Sequence, residues 1–194
     1  MAFLFLLIVG GIAHGQATCS DASIAGFSSR GIKLGLTVND VITIFATTDE
    51  ERFRLRSGSR STNDDIGYES FGASPIANEQ FSGISHYGFQ FLDGRLVSFS
   101  VNYLKPKWSS VMQFRDKLGE SINLPKTDEW KAEFANRIST DCGNYTIKLW
   151  VTPDFRDTYS GLQISDNRVP LVLKERRSKI DEKQREKDLK VFKP

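Results

Sequence analysis

The fold is decided by residues 84–103, whose sequence is ISHYGFQFLDGRLVSFSVNY. Apolar and polar residues alternate on both sides of Asp93-Gly94, which is typical of two antiparallel strands joined by a tight turn. A two-residue turn would mix apolar and polar residues on both faces. A three-residue turn with Gly94 in a left-handed bulge position separates them. We therefore predict the bulged turn, because a slip of one residue reverses every side chain.

The bulged turn predicts a hairpin with one apolar face. Its pairs are Phe89 with Val97 and Tyr87 with Phe99, and the apolar face holds Tyr87, Phe89, Phe91, Val97, Phe99, Val101 and Tyr103. A sheet with one apolar face must bury that face against another layer. We predict the α+β class: an antiparallel sheet packed by two or three helices, with a charged helical tail at the C-terminus.

Capping boxes at their first turns predict two helices. The run Leu36-Thr37-Val38-Asn39-Asp40-Val41 predicts a helix at about 38–47, with Thr37 as the capping residue and Asp40 at the reciprocal position. Ser110-x-x-Gln113 predicts a second capping box, followed by an apolar stripe. The stripe consists of Val111, Phe114, Leu118 and Ile122.

The remaining segments give shorter patterns. Residues 144–152 alternate as a strand, and Leu162 with Ile164 indicates another. Trp130 and Phe134, four residues apart, predict a short helix from about Thr127. Residues 20–35, rich in Ser and Gly, are interpreted as an extended lead-in. No internal repeat with a fixed period is evident.

The N-terminal segment predicts export. Ala2 to Ile12 is almost entirely apolar, and small residues follow at Ala13, Gly15 and Ala17, as at a signal-peptidase site. The run is shorter than the roughly 20 residues that span a bilayer. We expect residues 1–17 to be removed and the protein to be periplasmic or secreted. The alternatives are a buried N-terminal element, or a lipoprotein with lipid on Cys19.

The chain has two cysteines, Cys19 and Cys142, and the predicted compartment determines their expected oxidation state. In an oxidising environment two lone cysteines usually pair, so we predict a disulfide between them. Two buried free thiols or an intermolecular bridge are the alternatives.

The charge of the chain is balanced overall but not along its length. The whole sequence has 26 Lys+Arg and 24 Asp+Glu, which predicts no nucleic-acid partner. Residues 174–194 contain nine Lys or Arg against five Asp or Glu. We expect a domain at 18–168 followed by a charged helix at 169–194, solvated or acting as a partner-binding arm. No transmembrane helix is expected after the signal is removed.

Two groups of residues are candidates for binding. Arg52, Arg54 and Arg56 alternate with Phe53 and Leu55, which on a strand places three guanidinium groups on one face. A solvated strand face or a continued helix is the alternative interpretation. Trp150 lies on the polar side of its predicted strand, where an aromatic side chain suits an interface, unless a helix covers that side.

Catalytic and metal-binding motifs are missing from the sequence. It contains no H-E-x-x-H, C-x-x-C, P-loop, EF-hand, dinucleotide or G-x-S-x-G pattern. His86 is the one histidine beyond the predicted signal, too few for a multi-histidine zinc site, and it is interpreted as a surface residue. We expect no cofactor, no metal and no catalytic residues.

The run Gly35-Leu36-Thr37-Val38-Asn39-Asp40-Val41, after an export signal and before strands, resembles the opening of small bacterial envelope proteins of the SmpA/OmlA type. Those proteins are outer-membrane assembly lipoproteins, and the wider group includes β-lactamase-inhibitor-like modules. The resemblance implies helices packed on an antiparallel sheet and a role in binding proteins.

We expect a non-catalytic exported protein that binds another envelope or secreted protein. The alternative is a secreted hydrolase that acts on cell-wall or polysaccharide substrates through two carboxylates about 5–10 Å apart. A third hypothesis is binding of an anion or lipid headgroup by Arg52, Arg54 and Arg56, which salt would weaken.

Overall fold

The computed structural model describes eight parts of the chain. They are residues 19–46, 48–57, 61–74, 79–104, 106–122, 124, 129–153 and 158–192. The predicted signal, residues 1–17, lies outside them. The helices are α1 (Asp21–Ala25), α2 (Val38–Phe45), α3 (Asp49–Ser57), α4 (Val111–Ile122) and α5 (Val169–Val191). The strands are β1 (Ser61–Asn63), β2 (Tyr68–Ala73), β3 (Ile84–Leu92), β4 (Arg95–Tyr103), β5 (Lys131–Phe134), β6 (Arg137–Cys142), β7 (Tyr145–Pro153) and β8 (Thr158–Asp166).

The strands form one antiparallel sheet in the order β1-β2-β3-β4-β8-β7-β6-β5. The predicted α+β class is confirmed. The sheet consists of two four-stranded meanders whose last strands, β4 and β8, pair with each other in the middle. Each meander follows a helix, so the two halves of the chain have the same layout. The sequence does not reveal this correspondence, because the elements of the two halves differ in length and so give no repeat with a fixed period.

The hairpin of β3 and β4 turns differently from the prediction. Asp93 and Gly94 both have positive φ, 51° and 73°, which defines a two-residue turn. Phe91 pairs with Leu96, whereas Phe89 pairs with Phe99, so Val97 is the extra residue. The predicted three-residue turn is therefore wrong. The bulge lies inside β4, and there it turns Leu96 inward while keeping Phe99 on the same face.

The apolar face of the sheet carries the core beneath α2 and α4. Tyr87, Phe89 and Phe91 of β3 are at most 2% exposed, and Phe45 of α2 lies with its ring centroid 5.4 Å from that of Phe89. Burying each such side chain contributes about 1.5–3 kcal/mol. The helices cover this face because each presents an apolar stripe to it.

The two predicted capping boxes are present, and one is shifted. Thr37 Oγ1 accepts the Asp40 N–H at 3.1 Å, while Asp40 Oδ2 accepts the Thr37 N–H at 2.9 Å. Ser110 Oγ likewise accepts the Gln113 N–H at 3.2 Å. Gln113 Oε1, however, accepts the N–H of Ser109 at 3.0 Å, one residue earlier than expected.

The segment before α2 is not the extended lead-in that the sequence predicts. It contains α1, and Ile24, Phe27 and Ile32 are buried in the core. Phe27 stacks on Phe99 with centroids 6.1 Å apart, and Ser29 Oγ lies 3.1 Å from the hydroxyl of buried Tyr87. We call residues 19–34 the N-terminal strap, because they cross the core side of the sheet.

The predicted disulfide is confirmed, and it fixes the start of the strap. Cys19 bonds to Cys142, with their Cα atoms 4.8 Å apart. Asp21 adds a second attachment, since its carboxylate accepts the backbone N–H of Asn144 at 2.6 Å. The strap is therefore joined to the turn between β6 and β7.

The second half of the sheet is partly as predicted. The strands at 144–152 and around Leu162 and Ile164 are confirmed as β7 and β8. The short helix expected from Trp130 and Phe134 is wrong, because Lys131–Phe134 forms β5 at the edge of the sheet. Two aromatic residues four positions apart are compatible with a short strand as well as with a helix. Pairing with β6 favours the strand.

The charged C-terminal helix is confirmed as α5. Arg176 anchors it, since its guanidinium donates to both carboxylate oxygens of Asp93 at 2.7 Å and to the carbonyl of Ile66 at 2.8 Å. Residues 177–192 are all exposed. Within the part of the chain that the structure describes, no helix is both long enough and apolar enough to cross a membrane.

Candidate functional site: the open face of the sheet

One face of the sheet packs on the core and the opposite face is open. Directly paired residues point to the same side of a sheet, so the register defines both faces. The open face includes Ser70, Gly72, His86, Gly88, Gln90, Ser98, Ser100, Asn102, Phe134, Arg137, Ser139, Thr146, Lys148, Trp150, Gly161, Gln163 and Ser165, and by the same pairings Tyr68, Leu92, Lys131 and Asp141. None of these residues belongs to the apolar core. The side of the sheet without a hydrophobic partner layer is therefore the candidate binding surface.

A concavity of about 380 Å³ occupies the part of this face formed by β2, β3, β4 and β8. Glycine and serine form much of it, and His86, Gln90 and Gln163 supply its longer side chains. We call it the sheet concavity. Its size lies at the lower end of the roughly 300–1,000 Å³ of small-molecule sites.

Glycines let side chains of neighbouring strands approach the backbone closely on the open face. A Cβ on Gly72 would come within 2.5 Å of the His86 ring, and one on Gly88 within 2.7 Å of Ser100 Oγ. A Cβ on Gly161 would overlap the indole of Trp150. These three contacts show that the His86 ring, the Ser100 hydroxyl and the indole occupy the space that side chains would otherwise take.

Neutral hydrogen-bonding groups line the sheet concavity. Gln163 Nε2 donates to Ser98 Oγ at 3.2 Å, and Ser98 Oγ lies 2.9 Å from Ser165 Oγ. The residues that line it include no Asp, Glu, Lys or Arg. The surface is thus polar and carries no formal charge when His86 is neutral.

His86 is half-buried at the margin of the sheet concavity. Its Nδ1 lies 3.3 Å from Ser74 Oγ, and burial lowers the pKa of the imidazole below its ordinary value of 6.5. The ring is consequently neutral at pH 7. The adjacent Ser85 instead donates to the carbonyl of Asn102 at 3.2 Å, so the two neighbours form no catalytic pair.

Trp150 lies on the open face, as the alternation of β7 predicts. Trp150 is half-buried, and its indole lies over Gly161 of β8. Arg137 of β6 pairs directly with Trp150, and Phe134 of β5 pairs with Arg137. Arg137 is exposed and Phe134 is 72% exposed. We call Trp150, Arg137 and Phe134 the aromatic strip.

The arginines at 52, 54 and 56 do not form a strand face. They belong to α3, in which residues 52 and 56 are one turn apart and residue 54 points elsewhere. Arg52 pairs with Asp49 at 2.8 Å, Arg54 is exposed, and the side chain of Arg56 lies outside the described structure. The strand interpretation is wrong: the segment is helical, although α3 is a separate helix and not a continuation of α2, which ends at Phe45.

A signal for α3 exists in the sequence. Thr48-Asp49-Glu50-Glu51 is a capping box, in which Thr48 Oγ1 accepts the Glu51 N–H at 3.2 Å and Glu51 Oε2 accepts the Thr48 N–H at 3.2 Å. The alternation of arginine with apolar residues that follows is typical of a strand and therefore conflicts with this helix signal.

Two carboxylates of β5 and β6, Glu133 and Asp141, have lowered pKa values. The Lys148 ammonium, 2.9 Å from Glu133, lowers the pKa of that carboxyl. A hydrogen bond from Thr146 lowers the pKa of Asp141, to which Lys131 also contributes. A glycosidic general acid needs a raised pKa, so these two residues do not supply one. Among the described residues, no group of three or more His, Cys, Asp or Glu is placed to hold a metal ion.

No family model, curated protein or solved structure matches this chain.

Proposed function

We propose that this chain is an exported protein that binds another protein, catalyses no reaction, and uses the open face as its binding surface. The aromatic strip is the observation that carries the proposal. Trp150, Arg137 and Phe134 are direct neighbours across three strands. Tryptophan and arginine are over-represented among the residues that dominate binding energy at protein interfaces.

The size of the open face suits a protein partner. The eight strands cover roughly 900 Å² at the usual spacing of strands and residues. A stable protein interface buries about 800 Å² on each partner. One face of this sheet is therefore large enough for a complete interface.

The charges next to the aromatic strip indicate the chemistry of the partner. Lys148 is neutralised by Glu133 at 2.9 Å, whereas Arg137 is exposed between two aromatic side chains. We expect a partner with an apolar patch that carries a carboxylate for Arg137. A bidentate pair of arginine and carboxylate would set the orientation of the complex.

Export is supported by two features of the chain. The Cys19–Cys142 disulfide is compatible with an oxidising compartment. The apolar run from Ala2 to Ile12 provides the signal. The resemblance of Gly35–Val41 to envelope proteins of the SmpA/OmlA type agrees with a role in the cell envelope.

The test is a comparison of variants of the oxidised full-length chain. Wild type, Trp150→Ala, Arg137→Ala and Met112→Ala are immobilised and exposed to bacterial envelope extract, and captured proteins are quantified by mass spectrometry. Met112 is a matched apolar control, 44% exposed on α4. The proposal expects a specific protein retained by wild type and Met112→Ala.

With the captured protein purified, truncation of Trp150 should raise Kd at least about 30-fold, the effect of losing roughly 2 kcal/mol at a binding hot spot. Equal Kd values for wild type and the three variants would show that the open face is not the binding surface. Turnover of a polysaccharide or peptide by the purified chain would overturn the non-catalytic assignment.

A further inference from the structure

The sheet concavity is a second feature of the open face, and it does not rest on the proposed protein interface. It belongs to β2, β3, β4 and β8, whereas the aromatic strip belongs to β5, β6 and β7. The two features meet only at Trp150, whose indole lies over Gly161 of β8. Because Gly161 is two residues from Gln163, the indole borders the sheet concavity.

The lining of the sheet concavity selects for a neutral, hydrogen-bonding ligand. Serine hydroxyls and glutamine carboxamides both donate and accept hydrogen bonds. An apolar ligand would leave these groups unpaired, at an energetic cost. A charged ligand would find no opposite charge in the lining, and the nearby Lys148 is already paired with Glu133 at 2.9 Å.

The two rings add a second selection, by shape. His86 pairs with Asn102, which pairs with Gly161, which pairs with Trp150, so all four lie in one row across the sheet. The imidazole lies over Gly72 and the indole over Gly161. The two parent strands are three strand spacings apart, about 14 Å. A ligand lying along this row meets the Asn102 carboxamide in the middle and the indole at one end, and the Ser100 hydroxyl and the Gln163 carboxamide lie in the adjacent row.

A sugar chain offers both complementary surfaces. Its hydroxyl groups donate and accept hydrogen bonds, and the C–H face of a pyranose ring is apolar enough to stack on an indole. We propose that the sheet concavity and Trp150 form a binding site for a neutral oligosaccharide, which is held and not cleaved. The lining contains no carboxylate that could act as an acid or a nucleophile.

The experiment measures binding of defined probes to the full-length, oxidised chain. Neutral hexasaccharides of the cello, malto, xylo and chito series are titrated by calorimetry and by NMR, with polygalacturonate as an anionic probe. At least one neutral probe should bind, with an affinity that does not change between low and high salt. No binding by any neutral probe, stronger binding of polygalacturonate, or cleavage of a probe would each overturn the proposal.

Variants assign the binding to the sheet concavity. Gln163→Ala and Gln90→Ala should each weaken binding about 3- to 10-fold, the usual effect of losing one or two neutral hydrogen bonds. Trp150→Ala should weaken it further, and Trp150→Phe should restore part of the loss because a ring remains. Gln184→Ala, an exposed glutamine of α5, is the matched control. Wild-type affinity in both Gln90 and Gln163 variants would place the ligand elsewhere and refute the site.

One further variant separates this proposal from the protein interface. Arg137→Ala should leave oligosaccharide affinity unchanged while it weakens protein capture. Loss of sugar binding in Arg137→Ala with unchanged binding in Gln163→Ala would contradict the assignment of the sheet concavity.

Discussion

Breaking the Cys19–Cys142 bond should remove about a third or more of the stability of the fold. The bond joins positions 123 residues apart. Chain-entropy models give about 5 kcal/mol for a loop of that length. Domains of this kind are stable by roughly 5–15 kcal/mol in total. The non-covalent contacts of the N-terminal strap, among them Phe27 on Phe99, remain after reduction, so the reduced chain should stay folded at low temperature with a much smaller margin.

Urea unfolding followed by tryptophan fluorescence measures the effect. Wild type is compared with and without reductant, and the double variant Cys19→Ser/Cys142→Ala under both conditions. Reduced wild type and the double variant should both lose about 5 kcal/mol relative to oxidised wild type. The double variant should not respond to reductant. A difference below about 1 kcal/mol between oxidised and reduced wild type would refute the reasoning, because a loop of this length cannot then be a major constraint on the unfolded chain.

Three further perturbations test other parts of the structure. Arg176→Ala should remove the contacts that join the first turns of α5 to Asp93 and Ile66, and it should increase amide hydrogen exchange in those turns. Its partner Asp93 has a pKa held below the ordinary 3.8, chiefly by the hydrogen bond from Arg176, so this contact contributes above that pH and is lost as pH falls through the lowered pKa. Gly161→Ala should lift the indole of Trp150 and red-shift its fluorescence, whereas wild-type emission would contradict the contact. Deletion of Val97 should leave a cooperatively folding chain, because Ser98 and Phe99 then follow Leu96 in regular pairing and the inward face of β4 is kept, and Val97→Ala should cost less than about 1.5 kcal/mol; loss of cooperative unfolding on deletion would contradict the bulge.

Much of the local structure was predictable because neighbouring residues determine it. The capping box of Thr37 and Asp40 forms within one helical turn, and the alternation of β7 needs only a buried face. The same logic places Trp150 on the polar side of its strand. These patterns require no knowledge of distant parts of the chain.

The errors arise where distant residues decide between local options. The turn at Asp93-Gly94 suits two registers, and the choice depends on Leu96 being buried inside the sheet. Trp130 and Phe134 suit a helix until β6 offers a partner for β5. The strap lacks a strong periodic pattern, yet Ile24 and Phe27 bury against the sheet. Each of these outcomes depends on tertiary packing.

The candidate site was predictable only in part for the same reason. Trp150 follows from the pattern of one strand. Arg137 and Phe134 become its neighbours only through the pairing of β5, β6 and β7. The sheet concavity depends on glycines of two strands, Gly72 and Gly88, lying beside larger side chains of adjacent strands, which no single segment of sequence displays.

The most direct test of the central claim, that the open face binds a partner, is photo-crosslinking from defined positions. A photoreactive phenylalanine analogue is placed at Ser139 on the open face or at Met112 on α4, which packs on the opposite side of the sheet, and the oxidised chain is irradiated in envelope extract. The account predicts a discrete protein adduct from position 139 that disappears in the Trp150→Ala background, and none from position 112. An adduct from position 112 alone, or one from position 139 that survives the loss of Trp150, would contradict it.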